Sequence, residues 1–161
     1  MIKIIALSGK QFAGKDTIAR HLLLVLPDFK RVGIADAIKL EYSKNTGLSL
    51  NEIESNKYKY RSDLINLGNK GREINPTYWL SKVLDTKDNI IIPDVRLKSE
   101  FGILRGLGAL LIRVEAAREA RELRGVLTNE DDITETDLDD FDNSWDLIID
   151  NTPSHVLKLT N

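Results

Sequence analysis

A stretch near the amino terminus, Ser8 to Thr17, constrains this chain more than any other feature. It reads Ser-Gly-Lys-Gln-Phe-Ala-Gly-Lys-Asp-Thr, follows an apolar run over residues 2–7 and precedes a helical run over residues 18–26. Gly9 and Gly14 have the spacing of G-x-x-x-x-G-K, in which the glycines let successive N–H groups face one anion and the lysine reaches the outer phosphates. The pattern predicts a phosphate loop, and a chance glycine-lysine turn is the alternative.

The rest of the chain alternates between short apolar strands and helices. Strands are predicted near residues 2, 30, 90, 109 and 146. This order predicts an α/β fold with a doubly wound, mostly parallel five-stranded sheet, in which ligands bind beyond the carboxyl ends of the strands. Residues 48–86 are helical and polar and predict a wall that binds a substrate. We expect a single domain over residues 1–161.

Single residues predict several helix boundaries in the helical region. Asp36 predicts an N-cap for a helix over residues 37–45. Gly68 predicts the end of a helix that contains residues 61–67. Pro76 predicts the first turn of a further helix.

Composition excludes several classes of function. The chain has no cysteine and two histidines, which argues against disulfides, a thiol nucleophile and a zinc site. A net charge of −2 offers no electrostatic footprint for nucleic acid. No apolar run approaches the roughly 20 residues of a membrane span, and the first residues lack the pattern of a signal peptide. We expect small-molecule partners, no nucleic acid or membrane partner, a monomer or homodimer, and a cytoplasmic location.

Polar residues follow the predicted third strand. Asp94 stands where a carboxylate can hold nucleotide-bound magnesium, and Arg96 can grip a phosphate with its planar guanidinium. Asp94 can instead be a polar strand terminus, and Arg96 can instead form a surface ion pair. Asp36 and Asn151 are predicted at the same edge of the sheet.

Asp16 departs from the phosphate-loop pattern, which has Ser or Thr at this position. Its carboxylate can bind magnesium or a magnesium-bound water, or it can interact with the helix dipole without any catalytic role. Thr17 supplies a hydroxyl, but one step along a helix turns the side chain by about 100°. The task of Asp16 therefore stays open.

Three arginines recur at every third position of a predicted helix: Arg118, Arg121 and Arg124. They either pair with the intervening glutamates on a solvated face or belong to a mobile lid over residues 116–136 that closes on the transferring phosphoryl group. Spacing alone favours neither. The acidic stretch from Thr128 to Asp146 has a length compatible with such a lid, and it lacks the glycine of a calcium-binding EF-hand loop.

Together these motifs resemble the P-loop kinases that include deoxynucleoside monophosphate kinases of viruses and bacteria and the animal-type phosphomevalonate kinase. The resemblance covers nearly the whole chain. The motifs that carry it are Ser8 to Thr17; Leu67-Gly68, Arg72, Pro76 and Tyr78-Trp79; Pro93 to Arg96 with Glu100; Arg113 to Ala116 with Arg121 and Arg124-Gly125; and Thr134 to Thr136, Leu138-Asp139 and Asp146 to Asn151.

The motifs and the resemblance predict a fold like that of nucleoside monophosphate kinases, with a helical acceptor-binding insert and a lid, and ATP and Mg²⁺ as cofactors. The residues predicted to bind ATP are Gly9, Lys10, Ala13, Gly14, Lys15, Asp16, Thr17, Arg121, Asn151 and Thr152. Those predicted to bind the acceptor are Asp36, Arg61, Arg72, Trp79, Asp94 and Arg96. Catalysis is assigned to Lys15, Asp16, Arg118 and Arg121, and the metal to Asp16, Thr17 and Asp94.

The implied reaction moves the γ-phosphoryl group of ATP to the phosphate of a small acceptor. Asp16-Thr17 and the helical segment are more similar to the deoxynucleotide enzymes, whereas Arg113 to Ala116 and Arg124-Gly125 are more similar to phosphomevalonate kinase. We favour a (deoxy)nucleoside monophosphate, because the helical segment should decide the acceptor. Phosphomevalonate is one alternative, and a non-catalytic nucleotide-binding regulatory module is another.

Overall fold

The computed structural model describes residues 1–141 and 145–157. The strands are β1 (Ile4–Ser8), β2 (Phe29–Arg31), β3 (Asn89–Val95), β4 (Leu110–Glu115) and β5 (Leu147–Asp150). The helices are α1 (Lys15–Val25), α2 (Ile34–Thr46), α3 (Leu50–Ser55), α4 (Lys57–Ile74), α5 (Tyr78–Leu84), α6 (Lys98–Gly106), α7 (Arg118–Arg124), α8 (Ile133–Thr136) and α9 (Ser154–Leu157). Within the described ranges, no helix combines the length and the apolar character that a membrane crossing requires.

The chain divides into two compact units. The sheet unit comprises Met1–Arg31 together with the chain from Asp88 onward, and the helical unit comprises Val32–Lys87. The predicted helical region, residues 48–86, lies within the second unit. That unit begins earlier because α2 packs against α4 and α5.

The sheet unit has five strands in the order β2-β3-β1-β4-β5, and every neighbouring pair is parallel. The predicted α/β class and doubly wound sheet are confirmed. β1 lies at the centre, as its continuous apolar sequence requires, since a central parallel strand is covered on both faces. On one face Leu7, Ile91 and Val114 pack with α1, and α6 contributes the buried side chains of Phe101 and Leu104 to the core.

Parallel pairing brings the carboxyl ends of the strands to one edge of the sheet. Ser8 at the end of β1 lies in register with Val95 of β3 and Arg113 of β4. Glu115 at the end of β4 lies in register with Asp150 of β5. The segments that follow β1, β3, β4 and β5 therefore start close together, at the edge where such sheets bind ligands.

Three predicted helix boundaries in the helical unit are wrong. Pro76, predicted in the first turn of a helix, lies before α5, which begins at Tyr78 with Thr77 as its N-cap. The helix predicted over residues 37–45 is α2, which begins at Ile34 with Gly33 as its N-cap. Asp36 instead lies in the first turn and accepts the N–H of Gly33 through Oδ2 at 2.9 Å. The carboxylate reaches back to an N–H that precedes the helix, so it stabilises the helix start without occupying the cap position.

Gly68 does not end its helix, because α4 continues to Ile74. The carbonyl of Gly68 accepts the indole Nε1–H of Trp79 at 2.8 Å. At Gly71, a Cβ atom would come within 2.5 to 2.8 Å of the same indole ring. Gly71 thus lets α4 approach a buried tryptophan of α5, and Gly68, inside α4, is not a helix terminator.

We expect Gly71→Ala to lower the free energy of unfolding by about 1–3 kcal/mol, because the added methyl group overpacks the site against Trp79. Gly102 of α6 is the matched control, since a Cβ there meets no atom within 4 Å. Gly102→Ala should raise the free energy of unfolding by up to about 1 kcal/mol through helix propensity. Urea unfolding measures both, and equal effects would contradict this account of Gly71.

Candidate active site

The loop after β1 has backbone conformations that require glycine. Gly9 has φ +152° and Gly14 has φ +103°. A Cβ on Gly9 would collide with the carbonyl oxygen of Val114, and one on Gly14 would collide with the side chain of Asn151. Phe12 also has a positive φ, of 59°. The loop is thus seated tightly against the carboxyl ends of its neighbours, and both glycines are needed for conformation and for space.

Arg124 and Asn151 hold the outer side of this loop. Arg124 Nη1 donates to the carbonyls of Phe12 (2.9 Å) and Ala13 (3.2 Å), and Asn151 Nδ2 donates to that of Ala13 (2.9 Å). In a planar trans peptide, a carbonyl and the following N–H point in opposite directions. Fixing the Ala13 carbonyl therefore turns the Gly14 N–H to the other side of the loop, as an anion site requires.

Lys15 lies at the start of α1 and is almost completely buried. Its Nζ donates to the carbonyls of Gly9 (2.5 Å) and Lys10 (2.9 Å). Burial lowers the pKa of the Lys15 amine to about 7, and the positive charge of Arg96 adds to this shift. Three carboxylates oppose it: Glu135, Asp16 and Asp94. Without a ligand, this amine is therefore only partly charged at neutral pH.

A cavity of about 430 Å³ adjoins the loop. Lys10 and Ala13 of the loop line it together with Arg121 of α7 and Thr152 beyond β5. Arg121 is buried, with 7% of its surface exposed. Thr152 Oγ1 accepts the N–H of Ala117 at 2.8 Å, which ties the end of β5 to the start of α7. Predicted ATP-binding residues from three distant segments thus share one cavity of a size that binds small ligands.

The predicted metal ligands do not form a metal site by themselves. Asp16 is exposed and pairs with Arg31 at 3.1 Å, and Thr17 is exposed beside it. The described residues contain no group of three or more His, Cys, Asp or Glu side chains that could hold a metal ion. Magnesium at nucleotide sites uses one or two carboxylates together with substrate phosphates. Asp16 and Asp94, both of which act electrostatically on Lys15, fit that requirement.

The two arginines assigned to catalysis, Arg118 and Arg121, lie in different environments. Arg118 is exposed and binds Glu122 (2.9 Å) and Glu130 (2.7 Å), as the ion-pair alternative predicts. Arg121 faces the cavity. The catalytic role of each stays a prediction, but only Arg121 lies beside the phosphate loop.

The acidic segment after α7 contacts the phosphate loop. The side chain of Gln11 donates to the carbonyl of Thr128 and accepts its N–H (3.2 Å). Lys10 Nζ pairs with Asp139 at 2.8 Å. Residues 142–144 of the predicted acidic stretch lie outside the described residues. The predicted lid, residues 116–136, is thus fastened to the loop by the hydrogen bonds of Thr128, and the acidic stretch beyond it by the ion pair of Asp139.

Sequence reasoning missed several residues of this site. Arg124 carried only the weak signal of its three-residue spacing. Glu135 lies in the motif Thr134 to Thr136 but was given no role, yet its carboxylate binds Arg96 Nη1 and accepts the Gln11 N–H at 3.2 Å. Its partners lie 39 and 124 positions away in the sequence, so no local pattern could find it.

Four predicted acceptor residues belong to the helical unit. Asp36 bonds to Gly33 and lines a cavity of about 240 Å³. Trp79 is 1% exposed, so its ring packs inside the unit, and its contact with an acceptor stays a prediction. Arg61 and Arg72 each have a buried Nε atom without a hydrogen-bond partner in the described part of the chain. Eleven residues apart on α4, these two arginines lie on the same face of the helix.

This chain is similar to several known proteins in sequence or in fold. The phosphomevalonate kinase family model matches residues 7–107. Phosphomevalonate kinase of Drosophila melanogaster is 29% identical over 168 residues, covering 94% of this chain and 89% of the fly protein. Among solved structures, shikimate kinase of Aquifex aeolicus gives a TM-score of 0.51 at 15% identity, covering 98% of this chain and 96% of its own. The protein TT1252 of Thermus thermophilus gives a TM-score of 0.50 at 17% identity, and the match covers 99% of this chain and 96% of the Thermus protein. At these identities the solved structures support the P-loop kinase fold alone.

The lowered pKa of Lys15 predicts that ATP binding takes up a proton. At pH 8 a lysine with a pKa of about 7 is mostly neutral, whereas a bound triphosphate, already ionised, favours its charged form and raises the pKa. Uptake at pH 8 should approach about one proton, and ATP affinity should fall as the pH rises above 7. Titration calorimetry in two buffers of different ionisation enthalpy measures this uptake.

Lys15→Arg is the control, because an arginine stays charged over this pH range. The variant should bind ATP without proton uptake. Wild-type binding with no uptake, or equal uptake in the variant, would contradict the lowered pKa.

Proposed function

The chain belongs to the phosphomevalonate kinase family, and we propose that it transfers the γ-phosphoryl group of ATP to the phosphate of phosphomevalonate, giving the diphosphate and ADP. The chain is a P-loop kinase that uses ATP with Mg²⁺ to phosphorylate a small acceptor. The observation that carries the finer assignment is the span of the family match, residues 7–107. That span includes the phosphate loop, the whole helical unit and the segment from Asp94 to Arg96.

This assignment reverses the order of acceptors favoured by the sequence. The preference for a nucleoside monophosphate rested on the helical segment, and the family match covers that same segment. A deoxynucleoside monophosphate is retained as the second candidate, because Asp16-Thr17 and Leu67-Gly68 with Tyr78-Trp79 resemble the deoxynucleotide enzymes.

The proposed phosphoryl transfer requires few chemical groups from the protein. An oxygen of the acceptor phosphate, ionised at neutral pH, attacks the γ-phosphorus, and the bond to the β,γ-bridging oxygen breaks so that its electron pair leaves with ADP. No strong general base is needed. Catalysis then depends on alignment and on neutralising the spreading negative charge, which are tasks for cations fixed in place.

Residues of the sheet unit can supply that alignment and charge. The Gly14 N–H and its neighbours face the phosphates, and Lys15 becomes fully charged when they bind. Arg121, in the wall of the adjoining cavity, can reach the transferring group. Asp16 and Asp94, with Thr17, would hold Mg²⁺, which neutralises charge on the β- and γ-phosphates when bound.

Arg61 and Arg72 of the helical unit support an acceptor that carries a phosphate. A buried nitrogen donor without a partner costs about 1–3 kcal/mol, so folding alone does not favour two such groups on one helix face. Phosphate oxygens would satisfy both donors and would neutralise the two charges. Arg72 Nη1 has only a long contact, 3.4 Å, with Asn69.

The proposal is tested by ADP release with phosphomevalonate, a panel of deoxynucleoside monophosphates and shikimate as separate acceptors. We expect phosphomevalonate to give the highest kcat/KM and shikimate, which has no phosphate, to give no turnover. Lys15→Ala should reduce turnover to background while the far-UV circular dichroism stays unchanged. Highest kcat/KM with a deoxynucleoside monophosphate would establish the second candidate, and ATP binding without any acceptor-dependent ADP release would contradict both.

Arg61→Gln and Arg72→Gln should each raise the KM for the acceptor by about 10- to 100-fold, the loss expected for a charge-assisted hydrogen bond. The KM for ATP should stay within about twofold, because the proposal assigns both residues to the acceptor and neither to ATP. Lys70→Gln is the control, since Lys70 is an exposed cation on the same helix. An equal rise in the control would show that the effect is one of net charge.

A further inference from the structure

Glu135 is held firmly beside the phosphate loop. It lies on α8, whose N-cap Asp132 accepts the N–H of Thr134 at 2.9 Å. The contacts of Thr128 with Gln11 and of Asp139 with Lys10 fasten the chain on either side of α8. Only 7% of the Glu135 side chain is exposed. A carboxylate with so little access to water needs hydrogen-bond donors.

Its two donors come from two parts of the site. Oε2 accepts the N–H of Gln11 in the phosphate loop at 3.2 Å, and Oε1 accepts from Arg96 Nη1 beyond β3. Glu135 therefore links the loop that binds ATP to an arginine predicted to bind the acceptor.

Arg96 is anchored through one nitrogen. All of its side-chain hydrogen bonds within the described residues use Nη1, to Glu135 and, more weakly at 3.5 Å, to the Thr134 carbonyl. Its Nε and Nη2 have no partner in that part of the chain. The edge formed by Nε and Nη2 presents two parallel N–H groups, the arrangement that grips two oxygens of one phosphate.

We propose that Glu135 is a positioning residue for the reaction: it fixes the Arg96 guanidinium so that the Nε and Nη2 edge meets the acceptor phosphate. The inference rests on the proposed function to the extent that Arg96 meets that phosphate. Glu135 touches neither substrate and acts through Arg96.

A positioning role predicts that loss of Glu135 lowers kcat without raising the acceptor KM. A carboxylate next to a phosphate site makes the local potential less positive, so its removal does not weaken the attraction for the acceptor. Its removal does free the guanidinium to rotate, and catalysis depends steeply on such orientation. Glu135 should therefore matter for the rate of transfer and not for acceptor affinity.

In Glu135→Ala we expect kcat to fall about 10- to 100-fold with no increase in the acceptor KM. In Glu135→Gln the kcat should fall by less, because the amide keeps one oxygen that can accept a hydrogen bond from Arg96. Glu54→Ala is the control, because it removes another glutamate with ion pairs, to Lys39 and Lys57, in the helical unit. An unchanged or increased kcat in Glu135→Ala, or a higher acceptor KM at unchanged kcat, would overturn the proposal.

A double-mutant cycle with Arg96→Lys tests whether Glu135 acts through Arg96. A lysine has a compact ammonium group and no planar guanidinium whose orientation Glu135 could fix. Adding Glu135→Ala to Arg96→Lys should therefore change kcat by no more than about twofold. An equal loss in both backgrounds would overturn the proposal.

A measurement without turnover separates this inference from the proposed function. The ¹H–¹⁵N signal of Arg96 Nε should show an ordered side chain in wild type, a mobile one in Glu135→Ala and intermediate order in Glu135→Gln. Equal order in all three proteins would overturn the positioning role even if phosphomevalonate is the acceptor. Failure of every acceptor would remove the proposed function but leave this test of Glu135 decisive.

Discussion

The site depends on which way the peptide groups of one short loop face. Between Gly9 and Gly14, carbonyls are bonded either to Lys15 on the inner side or to Arg124 and Asn151 on the outer side. With the Ala13 carbonyl fixed on the outer side, the Gly14 N–H is turned to the inner side of the loop, as the proposed phosphate binding requires. The sheet sets the position of every contact, since all three partners lie at or beyond the carboxyl ends of its parallel strands.

Charge is distributed in this protein in a way that stability alone does not explain. Exposed pairs such as Arg118 with Glu130 add little to stability, because water and salt screen them. Arg61 and Arg72 keep buried nitrogens without partners in the described part of the chain, and Lys15 is buried at the cost of much of its charge. Bound anions would supply the missing partners of these groups and would favour the charged form of Lys15, which is the property expected of a kinase that holds two phosphorylated substrates.

The sequence was sufficient where the relevant physics is local. The strand, glycine loop and helix of residues 4–25 have their pattern within one segment, and the apolar strands specify the parallel sheet. Gly68 was misread because its place inside α4, close to Ile38 of α2, depends on tertiary packing. The contacts of Glu135 were found only in the structure, because its partners are brought near by tertiary folding. The sequence placed this glutamate in a motif but indicated no partner for it.

The central claim is that this site joins the γ-phosphoryl group of ATP to a phosphate already present on a small acceptor. ³¹P NMR of a reaction with ATP, Mg²⁺ and phosphomevalonate tests it most directly, because it reports the bond that forms. The account predicts two mutually coupled signals of a new diphosphate that grow in step with ADP. Growth of inorganic phosphate and ADP alone, with the acceptor signal unchanged, would contradict it.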